Sequence, residues 1–146
     1  MSTDELGGEV FAIHLCPGHR QAMQKVAQAR AVEGFGLEGD SHARSKSKRQ
    51  MLLVELETLM VLDIPLSAVR DNITTRGIEL MKLKGGQKLR LGETVHLEIT
   101  QPCEPCSRMD EIRPGLKKAL EGRRGILAKV IVGGVFCVGD PIEVVD

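Results

Sequence analysis

A pair of cysteines separated by two residues is the feature of this sequence best suited to chemistry. Cys103 and Cys106 lie in the segment PCEPCSR. Cys106 is followed by Ser107 and Arg108, at the start of a helix-like SRMDEI turn. A nearby guanidinium and helix N-terminal amides favour the thiolate, which is the form that binds metals and attacks electrophiles. The sequence therefore indicates Cys106 as a catalytic or metal-binding residue and Cys103 as a weaker candidate.

Other interpretations of this cysteine pair stay open. Structural zinc needs four ligands, and the remaining cysteines and histidines form no matching second pair. A thioredoxin-like redox motif belongs at the start of a helix in a βαβ unit, whereas this pair follows a predicted hairpin arm. The ordinary alternative is that both thiols are small buried side chains that only pack.

The segment GLEGDSH (residues 36–42) is a second candidate. Its glycines would let backbone amides approach a ligand, while Asp40 and His42 could orient or titrate it. The simpler alternative is a turn at Gly39 that Asp40 caps, with His42 exposed. The residues alone favour the turn.

Basic residues form the third candidate group: Arg44, Lys46, Lys48, Arg49, Arg70 and Arg76. A run such as SKSKR is typical of a solvated loop. Arg70 and Arg76, however, flank a short strand-like segment, where an unpaired charge is costly. Each therefore needs a carboxylate or an anionic ligand, and guanidinium groups suit phosphate well.

The elements that position these residues are predicted to be mostly strands, separated by glycine-rich turns. The segment from Arg20 to Ala31 could be a helix or a strand, and Phe35 to Arg44 is predicted to be a loop. Gly92-Glu93 predicts a two-residue hairpin turn. The final two strands are predicted to pair around Gly133-Gly134, with Cys137 packed inside. The predicted strands are Gly8–Cys16, Gln50–Val54, Asn72–Arg76, Gln87–Leu91, Thr94–Thr100, Ile126–Val132 and Val135–Val145, and the predicted helices are Glu55–Leu62 and Pro114–Gly122. Such closely spaced strands suggest a closed barrel.

Composition excludes several classes of function. The 146 residues fit a single domain, residues 1–146. Twenty Lys and Arg balance twenty Asp and Glu, and the chain has three Phe, no Tyr and no Trp. Nucleic-acid binding, which relies on basic surplus or aromatic stacking, is therefore not expected. No apolar run is long enough for a membrane span and the acidic start is unlike a signal peptide, so we expect a cytoplasmic protein with reduced thiols.

Five segments together resemble a known family. GLEGDSHA, VRDNITTRGIEL, LRLGETVHLEIT, PCEPCSRM and GGVFCVGDPIEV occur in the order found in MOSC domains, named after the molybdenum-cofactor sulfurase C-terminus. The resemblance runs from about Val10 to Val144 and is to the small stand-alone bacterial type. It implies a mainly β, closed, pyruvate-kinase-β-barrel-like fold with a few peripheral helices. It also implies an anionic pterin-phosphate (molybdopterin-type) cofactor whose molybdenum is bound by one cysteine, and a family-level association with pyridoxal phosphate.

Residue by residue, the resemblance assigns Cys106 as the molybdenum ligand. Arg70 and Asn72 of VRDNI match a segment that lines the cofactor site, and Asp40 and His42 match a GDxH loop. Arg49 matches more loosely, and Arg76 is added as a basic cofactor-binding candidate. The larger members of the family carry an extra N-terminal β domain, which we do not expect in this protein.

Three functions are consistent with these residues. The first is a molybdenum-cofactor protein that reduces N-hydroxylated substrates with electrons from a separate redox partner, since no nicotinamide-binding GxGxxG motif follows a strand. The second is a sulfur carrier, in which Cys106 holds a persulfide received from a sulfur-donor protein and Cys103 resolves it. The third is a non-catalytic cofactor-binding module in which Cys106 is structural.

Overall fold

The structure is a computed structural model that describes residues 7–145. Strands predominate in this part of the chain, and the helices are short. The strands are β1 (Gly7–Leu15), β2 (Gln24–Val26), β3 (Gln28–Val32), β4 (Gly36–Leu37), β5 (Met51–Glu55), β6 (Ile73–Arg76), β7 (Lys88–Leu91), β8 (Val95–Pro102), β9 (Ile126–Val132), β10 (Gly134–Cys137) and β11 (Pro141–Val145). The helices are α1 (Leu56–Val61), α2 (Arg108–Ile112) and α3 (Leu116–Ala119), with a 3-10 turn at Leu80–Lys82. None of these helices is long and apolar enough to span a membrane.

Seven strands close into a barrel in the order β11-β7-β8-β9-β5-β6-β1, and β1 returns to β11 through pairs such as Gly8 with Ile142. Closure pairs both edge strands of the sheet, so the barrel has no open edge within residues 7–145. β2 adds to the end of β1, and β10, β3 and β4 form a separate small sheet. The predicted mainly β, closed barrel is therefore confirmed.

The barrel strands pair antiparallel except at β5 and β6, which run parallel with Leu53 opposite Ile73. A parallel pair needs a crossover connection, and here α1 and the segment up to Asn72 supply it. This crossover carries Arg70 and its neighbours to the start of β6, beside the end of β1.

Alternate residues of β5 pack into two different apolar clusters. Met51 and Leu53 face the barrel interior, whereas Leu52 and Val54 join a second cluster with residues of the helices, such as Met109. Because both faces of β5 are buried, the segment reads as a continuous apolar run rather than an alternating one. The second cluster fixes α2 and α3 against one side of the barrel.

The predicted hairpin of β7 and β8 is confirmed, but its loop is one residue longer than predicted: Leu91 pairs with Val95, so the loop has three residues, Gly92 to Thr94, instead of two. The predicted pairing of the last strands is wrong. β9 and the strands after it do not form a hairpin. β10 pairs with β3 and β11 pairs with β7 and β1, because Gly133 and Gly134 turn the chain away from the barrel instead of folding it back onto β9.

Smaller differences concern local elements. The segment Arg20–Ala31, which was open between helix and strand, forms β2 and most of β3, and the predicted loop from Phe35 contains the short strand β4. α3 begins only at Leu116, because Gly115 takes a left-handed conformation with φ +87°. Cys137 is half-buried rather than packed inside.

Candidate functional site

A pocket of about 840 Å³ lies where the ends of β1 and β8 meet the starts of β5, β6 and β9, on the side of the barrel that carries α2. This volume is within the range typical of small-molecule and cofactor sites. Three of the four cysteines line it: Cys16, Cys103 and Cys106. A second cleft of about 610 Å³ at the β7–β8 turn is lined by no cysteine. The pocket with the three thiols is therefore the candidate site.

Cys106 is the exposed thiol of this pocket. It lies between the end of β8 and α2, and its carbonyl accepts the Met109 N–H at 2.9 Å. No hydrogen bond to Cys106 Sγ occurs among residues 7–145, so the expected contact from helix amides is not seen there. Half-buried Arg108 lines the same pocket and supplies the nearby positive charge. Cys106 is thus open to a ligand.

Cys103 occupies a different environment, although it lines the same pocket. Its side chain is buried in the cluster beneath the helices. Its N–H donates to the Gly125 carbonyl at 2.9 Å, which ties the end of β8 to the start of β9. A Cβ at Gly125 would lie 2.6 Å from the Leu53 carbonyl oxygen, so this close approach requires glycine.

Arg70 reaches across the pocket to a thiol that the sequence alone did not single out. Its Nη2 donates to Cys16 Sγ at 2.9 Å and to the Gly18 carbonyl at 3.4 Å. The Arg70 backbone is left-handed at φ +63°, a conformation that is costly for a residue with a Cβ. The surrounding structure therefore holds the Arg70 backbone in this conformation, and the two hydrogen bonds orient its guanidinium.

Asn72 was expected to face the cofactor, but it is fully buried behind the pocket and does not line it. Its Oδ1 accepts the Leu52 N–H and its Nδ2 donates to the His14 carbonyl, both at 3.1 Å. Asn72 therefore fastens β5 to β1. Both of its observed side-chain hydrogen bonds go to backbone groups of these strands, and not to the pocket that was expected to hold the cofactor.

Asp40 and His42 also occupy different positions, one buried and the other lining the pocket. Asp40 is buried, does not line the pocket and accepts the Cys16 N–H at 2.7 Å through Oδ1. His42 lines the pocket, with Nδ1 3.6 Å from Asp40 Oδ2. The turn at Gly39, with φ +83°, is the geometry that the simpler interpretation predicted. It nevertheless positions His42 at the site.

Arg76 lies outside the pocket, and this corrects its inclusion among the candidates. It is at the opposite end of β6 from Arg70 and pairs with Glu9, donating through Nε at 2.8 Å. Its guanidinium also lies over the Phe11 ring, 5.3 Å from the centroid. The partner that the sequence required is therefore a carboxylate of the chain itself.

The pocket concentrates positive charge in a chain that is neutral overall. Six arginines line it, against the single carboxylate of Glu111, and none of the six forms an ion pair with a carboxylate among residues 7–145. The predicted Arg49 and Arg70 are included. The set is Arg20, Arg44, Arg49, Arg70, Arg108 and Arg124. Such a lining favours an anionic ligand.

Arg20 and Arg124 escaped the sequence-based prediction, as did Cys16. The turn-forming Gly125 marks the backbone bend that buries Arg124, but the sequence gives no sign of which wall the arginine joins. Cys16 ends the predicted first strand and could have been placed beside Arg70 only from the pairing of β1 with β6.

Two buried titratable groups lie behind the pocket. Burial raises the pKa of Asp71, although a hydrogen bond from Thr74 at 2.7 Å and the charges of His14 and Arg124 oppose the shift. Burial lowers the pKa of His14, and the charge of Asp71 opposes that shift. The wall behind the ligand pocket is therefore polar but poorly solvated.

The comparisons with known proteins agree with this architecture. The sequence model of the MOSC domain family matches residues 34–143, three quarters of the chain. The chain belongs to the MOSC domain family. No curated protein matches the sequence.

Solved structures share the fold of this MOSC domain. The YuaD protein from Bacillus subtilis superposes with a TM-score of 0.79 at 19% identity, covering 95% of this chain and 96% of that one. YiiM from Escherichia coli gives a TM-score of 0.73 at 19% identity, covering 94% of this chain and 70% of its own. YiiM from Geobacillus stearothermophilus gives 0.75 at 18%, covering 95% and 75%. At these identities the likeness concerns the fold alone.

Proposed function

We propose that this MOSC domain binds a molybdenum cofactor, with the Cys106 thiolate as the protein ligand of the metal and the pocket arginines as the binding site of the pterin phosphate. The observation that carries the proposal is an exposed thiol in a pocket lined by six arginines and one carboxylate. The thiolate is the form of cysteine that binds metals, and guanidinium groups suit phosphate.

The residues present fit such a group. No cluster of three or more His, Cys, Asp and Glu with metal-binding geometry occurs in residues 7–145, so the other metal ligands would come from the cofactor itself. Arg49 and Arg70 would hold the phosphate, and Arg108 would neutralise the thiolate beside it. When bound, the cofactor supplies the two-electron chemistry needed to reduce an N–O bond, with electrons from a separate redox protein.

The test compares molybdenum and pterin content after purification from a host that makes the cofactor. We expect near-stoichiometric molybdenum in the wild type and background levels in Cys106→Ser. The matched control is Cys137→Ser, because Cys137 is a half-buried thiol outside the pocket and should leave the content unchanged. Absence of molybdenum from the wild type, even after reconstitution with the cofactor, would contradict the proposal. A loaded protein is then assayed on amidoximes and hydroxylamines with a chemical electron donor.

A second candidate function is favoured by the presence of Cys103 in the same pocket. In a sulfur carrier, Cys106 would hold a persulfide, and the Cys103 thiol would attack Cys106 Sγ. The Cys103–Cys106 disulfide would form, the sulfur–sulfur bond of the persulfide would break, and hydrosulfide would leave to the acceptor. Cyanide-labile sulfur on Cys106, without bound molybdenum, would support this function over the first.

A further inference from the structure

Cys16 is a nucleophilic residue of the pocket that the proposed function does not use. It lines the pocket but is only 2% exposed. Asp40 Oδ1 accepts its backbone N–H at 2.7 Å, and its carbonyl accepts the Ser41 N–H at 2.8 Å. One loop therefore fixes the backbone of Cys16 on both sides, and the sulfur has a defined place in the pocket lining.

The Arg70 guanidinium contacts the Cys16 sulfur directly. Its Nη2 donates to Sγ at 2.9 Å, and the thiol itself donates to the Gly18 carbonyl at 3.3 Å. Among residues 7–145, no guanidinium donates to the sulfur of the other three cysteines. A guanidinium beside a cysteine stabilises negative charge on the sulfur, which is the charge of an attacking thiolate. Cys16 is thus the thiol of this chain that is best placed to act as a nucleophile.

A second guanidinium in the pocket has donors without acceptors. Arg124 lines the pocket although it is only 8% exposed, and its Nε and Nη1 have no acceptor in the described part of the chain. Its Nη2 donates at 3.0 Å to the carbonyl of Val69, the residue before Arg70. The free donors of Arg124 therefore belong to the same part of the pocket lining as Arg70. Donors placed where negative charge develops in a transition state lower the free energy of that state.

We propose that Cys16 is a peroxide-reactive thiol that hydrogen peroxide oxidises to the sulfenic acid, with Arg70 as its positioning residue. The Cys16 sulfur attacks one oxygen of the peroxide, so that an S–O bond forms and the O–O bond breaks. The sulfur is oxidised by two electrons, and the other oxygen leaves as water with the proton of the thiol. This reaction goes beyond the proposed function, because it requires neither molybdenum nor Cys106.

The test exposes the full-length, cofactor-free protein to hydrogen peroxide and follows each cysteine separately. After the peroxide is removed, the chain is unfolded in iodoacetamide, which labels remaining thiols, or in dimedone, which labels sulfenic acids. Mass spectrometry resolves Cys16 from Cys137, because lysines and arginines place them in different tryptic peptides. We expect Cys16 to be oxidised faster than the more exposed Cys137, and to carry dimedone. If Cys16 reacts no faster than Cys137, the proposal is wrong.

Substitutions of arginine test the positioning role. Arg70→Gln should slow the oxidation of Cys16 about tenfold or more, because a hydrogen bond from a charged donor is lost. Arg70→Lys keeps the charge and should restore part of the rate. The matched control is Arg76→Gln, an arginine paired with Glu9 outside the pocket, and it should react like the wild type. A wild-type rate in Arg70→Gln, or equal losses in Arg70→Gln and Arg70→Lys, would overturn the role of Arg70.

The size of the oxidant gives a further test that needs no substitution of Arg70. Because Cys16 is 2% exposed and Cys106 is exposed, hydrogen peroxide should oxidise both thiols, whereas the bulky cumene hydroperoxide should oxidise Cys106 alone. Equal oxidation of Cys16 by the two reagents would show that unfolding exposes it, and this would contradict a reaction within the pocket. Molybdenum content distinguishes these results from failure of the proposed function. A protein that binds no molybdenum but is oxidised at Cys16 would keep this inference and remove the cofactor.

Discussion

The pocket and the buried wall behind it contain neighbouring residues of the same two segments, but these residues have different roles. In one segment His42 lines the pocket while Asp40 is buried, and in the other Arg70 lines the pocket while Asn72 is buried. Asp40 accepts the N–H of Cys16, directly after β1, and Asn72 hydrogen-bonds to backbone groups of β1 and β5. Substitutions in the wall should therefore change stability, and substitutions in the pocket should change ligand binding.

The largest expected effect belongs to the wall. Asn72→Ala would leave the Leu52 N–H and the His14 carbonyl without their side-chain partners in a fully buried place. Leaving buried groups unsatisfied costs about 1–3 kcal/mol each, so we expect the free energy of unfolding to fall by about 3 kcal/mol. Urea denaturation measures this change. A variant with the wild-type midpoint and impaired ligand binding would place Asn72 with the pocket instead.

A substitution in the pocket should instead weaken ligand binding and change stability little. Arg70→Gln removes a guanidinium that has no carboxylate partner among the described residues, and phosphate affinity should fall about tenfold. Arg76→Gln removes the same charge from the opposite end of β6, where Glu9 already pairs with it. Calorimetric titration of the two variants compares them directly. Equal losses would mean that overall charge, and not the pocket, sets the affinity.

The wall should also give the protein a characteristic dependence of stability on pH. Because burial lowers the pKa of His14, the unfolded chain binds a proton more readily, and stability should fall as the pH drops below the ordinary value of 6.5. Burial raises the pKa of Asp71, so this group has the opposite sign and costs stability as the pH rises above 3.8. Unfolding curves at several pH values check this expectation. In His14→Gln, the free energy of unfolding should fall less steeply below pH 6.5.

Asp71→Asn provides the matched comparison for that curve. This variant should lose less stability as the pH rises above 3.8. It should keep the loss of stability below pH 6.5 that is due to His14. The two groups interact, so the double substitution need not equal the sum of the single ones. A wild-type pH profile in both single variants would show that neither group is held in a poorly solvated wall.

The sequence predicted the barrel and the pocket residues better than it predicted the wall. Alternation in β8 and the apolar run of β5 are local signals, and they were sufficient for the strands. Which residues of a turn line the pocket depends on the pairing of strands that are distant in the sequence. The pairing of β1 with β6, for example, brings Cys16 to Arg70. For this reason Arg70 and Cys106 could be proposed from the sequence, whereas Arg124 and the buried role of Asn72 could not.

The smallest expected effect concerns the ion pair that removed Arg76 from the candidate site. The Arg76 and Glu9 side chains are 52% and 37% exposed, so water screens much of their attraction. Exposed pairs typically contribute about 0.2–1 kcal/mol, and a double-mutant cycle with Arg76→Gln and Glu9→Gln should give a coupling energy in that range. The coupling should shrink with added salt because exposed charges are screened. A coupling of several kcal/mol would contradict the expectation for an exposed pair. Pairing with a carboxylate would then not explain the contrast between Arg76 and Arg70 at the two ends of β6.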